Sequence, residues 1–321
     1  MFKVIMAPTQ GSDSERAAIS VAEKLARRFD ADLRLVRVDS APVIIEPVPH
    51  APMLAVTEES IREERLARLR KLEALGTECR SLGDIRVMIA LEEGPTGPTL
   101  GEYAKKFNVD LIVMSSHARG GVKRITLGSV TDYLIRHTNI PVLVVKAPSF
   151  LDLNSQQSLN RIAVPLDGSV LAEQILPQVA QLASRLKSTV SLLRVLTPVT
   201  YSQQQIMQPG LPWWDIDIAV ADACLARAES YLMGQGLKVT KDVVLSDDVA
   251  TAILDYSART TADLIAIATS GSGGMSRFVL GTVADEVTRK SQISVLVFHP
   301  KRPSTPLAAS EHSAEGILAG V

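Results

Sequence analysis

Cysteine is scarce. Cys79 and Cys224 are the only two in 321 residues, too few and too far apart for a disulfide framework, so reduced thiols are expected. No apolar run approaches the roughly 18 residues needed to cross a bilayer. Met1 to Pro8 lacks the length and flanks of a signal peptide. Both features lead us to expect a soluble, cytoplasmic protein. Neither sign of charge dominates, with 34 Lys and Arg against 35 Asp and Glu. That balance supplies no field to attract nucleic acid or an anionic membrane. The histidines at 50, 117, 137, 299 and 312 show no metal-ligand spacing. The Walker A pattern with its lysine is absent, as is a dinucleotide fingerprint after the first apolar run.

What the chain does contain is itself, twice. Val109-Asp110-Leu111-Ile112-Val113-Met114 resembles Ala262-Asp263-Leu264-Ile265-Ala266-Ile267, and Leu127-Gly128-Ser129-Val130 resembles Leu280-Gly281-Thr282-Val283. Ile140-Pro141-Val142 resembles Ile293-Ser294-Val295, and Asp132 and Arg136 recur as Asp285 and Arg289. All share an offset of 153 residues. Near the N-terminus the offset is 157, because Pro8 matches Pro165, so a variable loop has absorbed a gap of four residues. A repeat this long is a duplicated domain rather than a solenoid unit of about 20–50 residues. The composition predicts one domain over 1–147, a linker over 148–158, a second domain over 159–300 and a disordered tail over 301–321.

Within each copy, short apolar runs alternate with longer amphipathic stretches, the signature of βαβ units and a parallel sheet. In the first copy, strands are expected at Val4–Ala7, Leu33–Val38, Ile85–Leu91, Leu111–Ser115 and Val142–Val145. Its helices are expected from a Ser14 cap to Phe29, from Thr57 to Leu75 with Gly76 ending it, at Thr96–Phe107 and at Gly128–His137. The second copy has strands at Ile162–Leu166, Val190–Val195, Lys238–Leu245, Leu264–Ala268 and Val295–Val297. Its helices are expected over 171–186, 215–233, 249–260 and 281–290. Strands one and four are the most uniformly apolar, as central strands covered on both faces should be. Right-handed crossovers then give the order 3-2-1-4-5. The fold class is α/β, two tandem open parallel five-stranded sheets with helices on both faces. The valine-rich fifth strand is an exposed edge that invites cover, and the two copies are predicted to meet strand five to strand five as an intramolecular pseudo-dimer.

In open α/β sheets, ligands sit where the strand order reverses, at the carboxyl ends of the strands. Here that is the loops after strands one and four. In copy two, strand one leads into Pro165-Leu166-Asp167-Gly168-Ser169. Asp167 could accept hydrogen bonds from ribose hydroxyls. The residues alone slightly favour an Asp-Gly turn, with Ser169 capping the next helix. After strand four comes Thr269-Ser270-Gly271-Ser272-Gly273-Gly274-Met275-Ser276-Arg277, then Leu280-Gly281-Thr282-Val283 opening a helix. Glycines let backbone N–H groups approach phosphate, and a helix amino end is an anion site. A flexible glycine-serine surface loop is the plainer alternative, but its place at the reversal favours phosphate.

These residues resemble the universal stress protein family, whose pattern is Gly-x2-Gly-x9-Gly-Ser/Thr after strand four and Pro-x-Asp after strand one. Copy two reads Ala268-x2-Gly271-x9-Gly281-Thr282 and Pro165-x-Asp167, so it departs only by alanine for the first glycine. The resemblance implies that Asp167, Gly271, Gly281, Thr282 and Val283 contact ATP, with or without magnesium, and that Val195 lies near the adenine. Copy one reads Ser115-x2-Ala118-x9-Gly128-Ser129 and Pro8-x-Gln10. Its remaining equivalents are Gln10, Gly128 and Ser129, and weak or no nucleotide binding is expected there.

Other candidates have plainer readings. His117 could contact phosphate or act as an acid or base but reads more plainly as a loop residue; Arg119, Lys123 and Arg124 make the loop basic, an anion site or, more commonly, a solvated face, and the two cysteines are read as core or buried-helix residues. The proline-bearing segments 40–56 and 197–214 follow strand two in each copy and have the length of lids. Trp213 and Trp214 precede Asp215, a candidate helix cap, and would cover an adenine, anchor a partner or simply staple the helix. The sequence offers no firm magnesium-binding acid and no clear general base. A nucleotide-binding stress-response module acting through partners therefore ranks above a slow or self-phosphorylating ATPase and above a nucleotide-free scaffold. A homodimer is compatible with all three.

Overall fold

Runs without polar side chains at Ile5–Ala7 and Leu111–Val113 can shed water only if both faces of their strands are covered. In the computed structural model of the chain all of these residues are fully buried. Residues 2–12, 15–39, 58–115, 127–146, 159–197, 213–269 and 280–300 are described. The N-terminal half runs β1 (Val4–Pro8), α1 (Arg16–Phe29), β2 (Asp32–Asp39), α2 (Glu58–Ser81), β3 (Val87–Glu93), α3 (Thr96–Lys106), β4 (Leu111–Ser115), α4 (Ser129–His137) and β5 (Val142–Val145). The C-terminal half runs β6 (Arg161–Pro165), α5 (Val170–Glu173), α6 (Leu176–Leu186), β7 (Thr189–Leu196), α7 (Trp213–Gly234), β8 (Lys238–Leu245), α8 (Val249–Arg259), β9 (Leu264–Ala268), α9 (Thr282–Lys290) and β10 (Ser294–Phe298).

The strand order is β3-β2-β1-β4-β5-β10-β9-β6-β7-β8, one continuous ten-stranded sheet. Each half has the expected 3-2-1-4-5 order. The halves meet where β5 pairs antiparallel with β10, in the register Val142↔Val297, Leu143↔Leu296 and Val144↔Val295. The two valine-rich edges thus cover each other by hydrogen bonding. One apolar core lies between the sheet and α1, α2, α6 and α7, holding Leu25, Leu72, Leu182 and Leu225. The other lies beneath α3, α4, α8 and α9, holding Leu100, Leu134, Ile253 and Val287. Fully burying each such side chain stabilises the fold by about 1.5–3 kcal/mol. Among the described residues, no helix is long and apolar enough to cross a membrane.

The duplication extends to fine detail. Asp110 Oδ2 accepts from the Lys3 and Val4 amides at 2.7 and 3.0 Å. Its counterpart Asp263 accepts from the Arg161 amide at 3.0 Å, so the repeated Asp pins the start of the central strand in each half. Helices α1 and α6 both end on a left-handed residue, Asp30 at φ 53° and Lys187 at φ 58°. Asp132 pairs with Arg136 and Asp285 with Arg289, each at 2.8 Å, and Arg289 reaches Asp132 across the junction at 3.8 Å.

Some boundaries differ from expectation. Gly76 does not end its helix, which continues to Ser81. A Cβ on Gly76 would stand 3.1 Å from Ile89 Cγ2, so this glycine lets helix and strand approach. The single helix expected over 171–186 is two, α5 and α6, because Pro177 has no N–H to continue the ladder. Helix α7 starts at Trp213, so Asp215 lies within its first turn rather than at its cap. The Ser14 cap, the segments 40–56 and 198–212, the linker and the tail lie outside the described residues.

Candidate functional site

The crevice arises from strand pairing. In the C-terminal half β6 pairs with β9 at Ile162↔Leu264 and Ala163↔Ile265, and this pairing stops short of the strands' carboxyl ends. The N-terminal half does the same, with β1 and β4 paired at Ile5↔Leu111 and Met6↔Ile112. Beyond those pairs the strand ends part, at the position where the order reverses.

Pro165 ends β6, and the Leu166 amide donates to Leu193 O at 2.9 Å, which fixes the loop against β7. Asp167 follows, then Gly168 at φ 80°, a conformation that favours glycine. Asp167 Oδ1 accepts from the Ser169 amide at 2.9 Å and from its hydroxyl at 2.6 Å. Ser169 Oγ in turn accepts from the Ala172 amide at 3.1 Å, capping α5. The turn weighed from the sequence is therefore present, and it fixes the carboxylate through Ser169. Val195 is half-buried in β7, and Arg194 reaches Leu166 O at 3.4 Å.

Across the reversal, Ala268 ends β9 and Gly281 is the N-cap of α9, with no side chain capping that helix. The Gly281 amide donates to Thr269 O at 2.7 Å, and a Cβ on Gly281 would stand 2.7 Å from that same oxygen. Only glycine allows the helix start so close to the strand end. Gly281 N–H is thereby occupied, which leaves the next amides of the first turn, from Thr282 onward, without intrahelical acceptors. Thr282 is exposed and Val283 half-buried. Thr269 Oγ1 lies 2.8 Å from His299 Nδ1. Gly271, with Ser270, Ser272 and Arg277, lies outside the described residues, as do His117, Ala118, Arg119, Lys123 and Arg124.

In the N-terminal half, Gln10, Gly128 and Ser129 line one cleft of about 650 Å³, within the range of small-molecule sites. Its wall holds residues the sequence reading missed. Glu15 is 4% exposed. Its Oε2 accepts from Thr9 Oγ1 at 2.9 Å and from the Gln10, Gly11 and Ser12 amides at 2.8, 3.1 and 3.3 Å. The spacing Ser12-x-x-Glu15 is a capping-box signal that could have exposed it. Gln10 Nε2 donates to Val38 O at 2.9 Å, and Gln10 O accepts from Arg37 at 2.6 Å. Asp39 bridges Arg37 at 2.9 Å and Arg68 at 3.1 Å. This crevice thus has a buried carboxyl group at its wall and an Arg37–Asp39–Arg68 ion-pair chain beside it.

An open sheet, parallel within each half, whose strand order reverses at its centre defines the doubly wound class of α/β modules, here duplicated. The particular family follows from comparison with known proteins. The model of the universal stress protein family matches residues 1–146 and again 158–299, and the chain belongs to that family as a tandem of two domains. It is similar to a universal stress protein of Mycobacterium tuberculosis, 27% identical over 292 residues, covering 89% of this chain and 92% of that one. It is also similar to one of Methanocaldococcus jannaschii, 32% identical over 149 residues, covering 46% of this chain and 84% of that one. The crystal structure of a universal stress protein from Archaeoglobus fulgidus shares the fold at a TM-score of 0.66 and 17% identity, covering 92% of this chain and 96% of that one.

Proposed function

We propose that this protein is an ATP-binding stress-response module, soluble and cytoplasmic, that holds nucleotide mainly in its C-terminal half and acts through protein partners. The observation that carries this reading is the contact at Gly281. The amino end of α9 is held against the end of β9 by a 2.7 Å hydrogen bond. No side chain caps that helix end, which therefore suits an anion. Phosphates would rest on the first-turn amides and the Thr282 hydroxyl, with the glycine-rich run around Gly271 folded over them. Asp167, oriented by Ser169, would accept from the ribose hydroxyls. Pro165, Val195, Ala268 and Val283 would complete the pocket around the base and sugar. Magnesium, where used, would ride on the phosphates, since the sequence offers no firm acid to hold it.

Two observations favour the nucleotide-poor reading for the N-terminal half. Glu15 takes up the loop amides after β1, and the Gln10 amide is tied to Val38 O, the counterpart of Val195. Gently denaturing the purified protein and weighing the released small molecules tests the proposal. Released ATP supports it, ADP with turnover supports a slow ATPase, and an empty protein that also fails to take up ATP refutes nucleotide binding.

A further inference from the structure

Lys146 follows β5 in the N-terminal half, yet its ammonium lies in the C-terminal half. The residue is 5% exposed. Its Nζ donates to Thr288 O at 2.6 Å and approaches Arg289 O at 3.5 Å. Both carbonyls belong to the last turn of α9, where a helix leaves carbonyls without intrahelical donors and carries partial negative charge. The buried cation and the helix end therefore complete each other.

The duplication does not dictate this contact. At the end of α4, Thr138 donates its own hydroxyl to Leu134 O at 2.8 Å. The matching residue after α9 is Ser291, and its hydroxyl turns to Ile293 O at 2.7 Å. The residue matching Lys146 is His299, whose ring meets Thr269 in its own half. Among the described residues, only helix α9 receives a lysine from the other domain. Helix α9 has 9 residues, so it is about 13 Å long and too short to hold its direction alone. Gly281 anchors one end to β9 and Lys146 the other.

We propose that Lys146 is a positioning residue that aims the amino end of α9 at phosphate, so that the N-terminal half completes the ligand site of the C-terminal half. This rests on the nucleotide reading above. The two halves then form one binding unit rather than two beads.

The test compares ATP and adenosine binding by calorimetry in the full-length wild type, Lys146→Met and Lys146→Arg, with amide hydrogen exchange in α9 measured without ligand. Met keeps the length and apolar stem of the lysine, and Arg keeps the charge. The expected result is ATP affinity weakened roughly fivefold to thirtyfold in Lys146→Met, the reach of a charge at a partly buried helix end. Adenosine affinity should stay unchanged, and Lys146→Arg should recover most of the ATP loss. Exchange in the first turn of α9 should quicken in Lys146→Met while α8 stays protected. Equal losses for ATP and adenosine, wild-type ATP affinity in Lys146→Met, or unchanged α9 exchange would each overturn the role. A wild type that binds no ATP would overturn the nucleotide reading, and this role with it, whatever the exchange shows.

Discussion

Replacing Gly281 by alanine puts the central contact under direct strain. The added Cβ would stand 2.7 Å from Thr269 O and 3.7 Å from Thr269 C, and ordinary contact begins at about 3.4 Å. Thr269 cannot retreat. Its amide donates to Phe298 O at 2.9 Å, its hydroxyl meets His299, and it is buried. Helix α9 must therefore move by roughly 0.7 Å, which stretches the Gly281–Thr269 hydrogen bond past its usual length. Forced overpacking costs about 1–3 kcal/mol and the weakened bond up to about 1 kcal/mol. A loss near 3 kcal/mol lowers the melting temperature by about 6–12 °C for a unit this size. Gly234→Ala is the control, because a Cβ there meets nothing within 4 Å. It should be neutral or stabilising by up to about 1 kcal/mol. Urea unfolding followed by circular dichroism measures both. If Gly281→Ala is as stable as Gly234→Ala, the close approach is not what holds the helix start.

Three further outcomes follow. Glu15→Ala strands the Thr9 hydroxyl and the loop amides, and should destabilise the N-terminal half by about 2–4 kcal/mol in urea unfolding; a smaller loss than 1 kcal/mol contradicts the anchoring role. Burial pushes the Lys146 ammonium down from 10.5 to about 8, with Arg289 adding repulsion. The unfolded chain then binds more protons between pH 8 and 10.5, so wild type should gain stability over Lys146→Met across that window, by up to about 3 kcal/mol; parallel pH profiles contradict it. Burial, with Glu23 and Glu78 nearby, raises the Cys79 thiol to about 11, so iodoacetamide on native protein at pH 8 should modify the half-exposed Cys224 first, and equal rates contradict it.

The sheet order was legible because its causes are local. Uniformly apolar strands one and four must be central, and crossover handedness leaves few orders to choose among. The β5–β10 junction was also legible, since two valine-rich edges of one chain need cover. The strongest repeated residues are explained by structure: Asp110 and Asp263 pin strand starts, and Asp132, Arg136, Asp285 and Arg289 form ion pairs at the junction. What escaped the sequence is pairwise and long-range. Gly76 looked like a helix stop because its contact with Ile89 comes from a neighbouring strand. Lys146 carries no local signal, because its partner Thr288 lies 142 residues away. Asp39 and Arg68 came together only once α2 had folded back over β2.

Photolabelling with 8-azido-ATP, followed by peptide mapping, tests the central claim most directly, because the label marks whatever touches the base. The account predicts labelled peptides from 161–197, near Val195, competed away by ATP. Label confined to residues 4–39, or label that ATP does not displace, would contradict it.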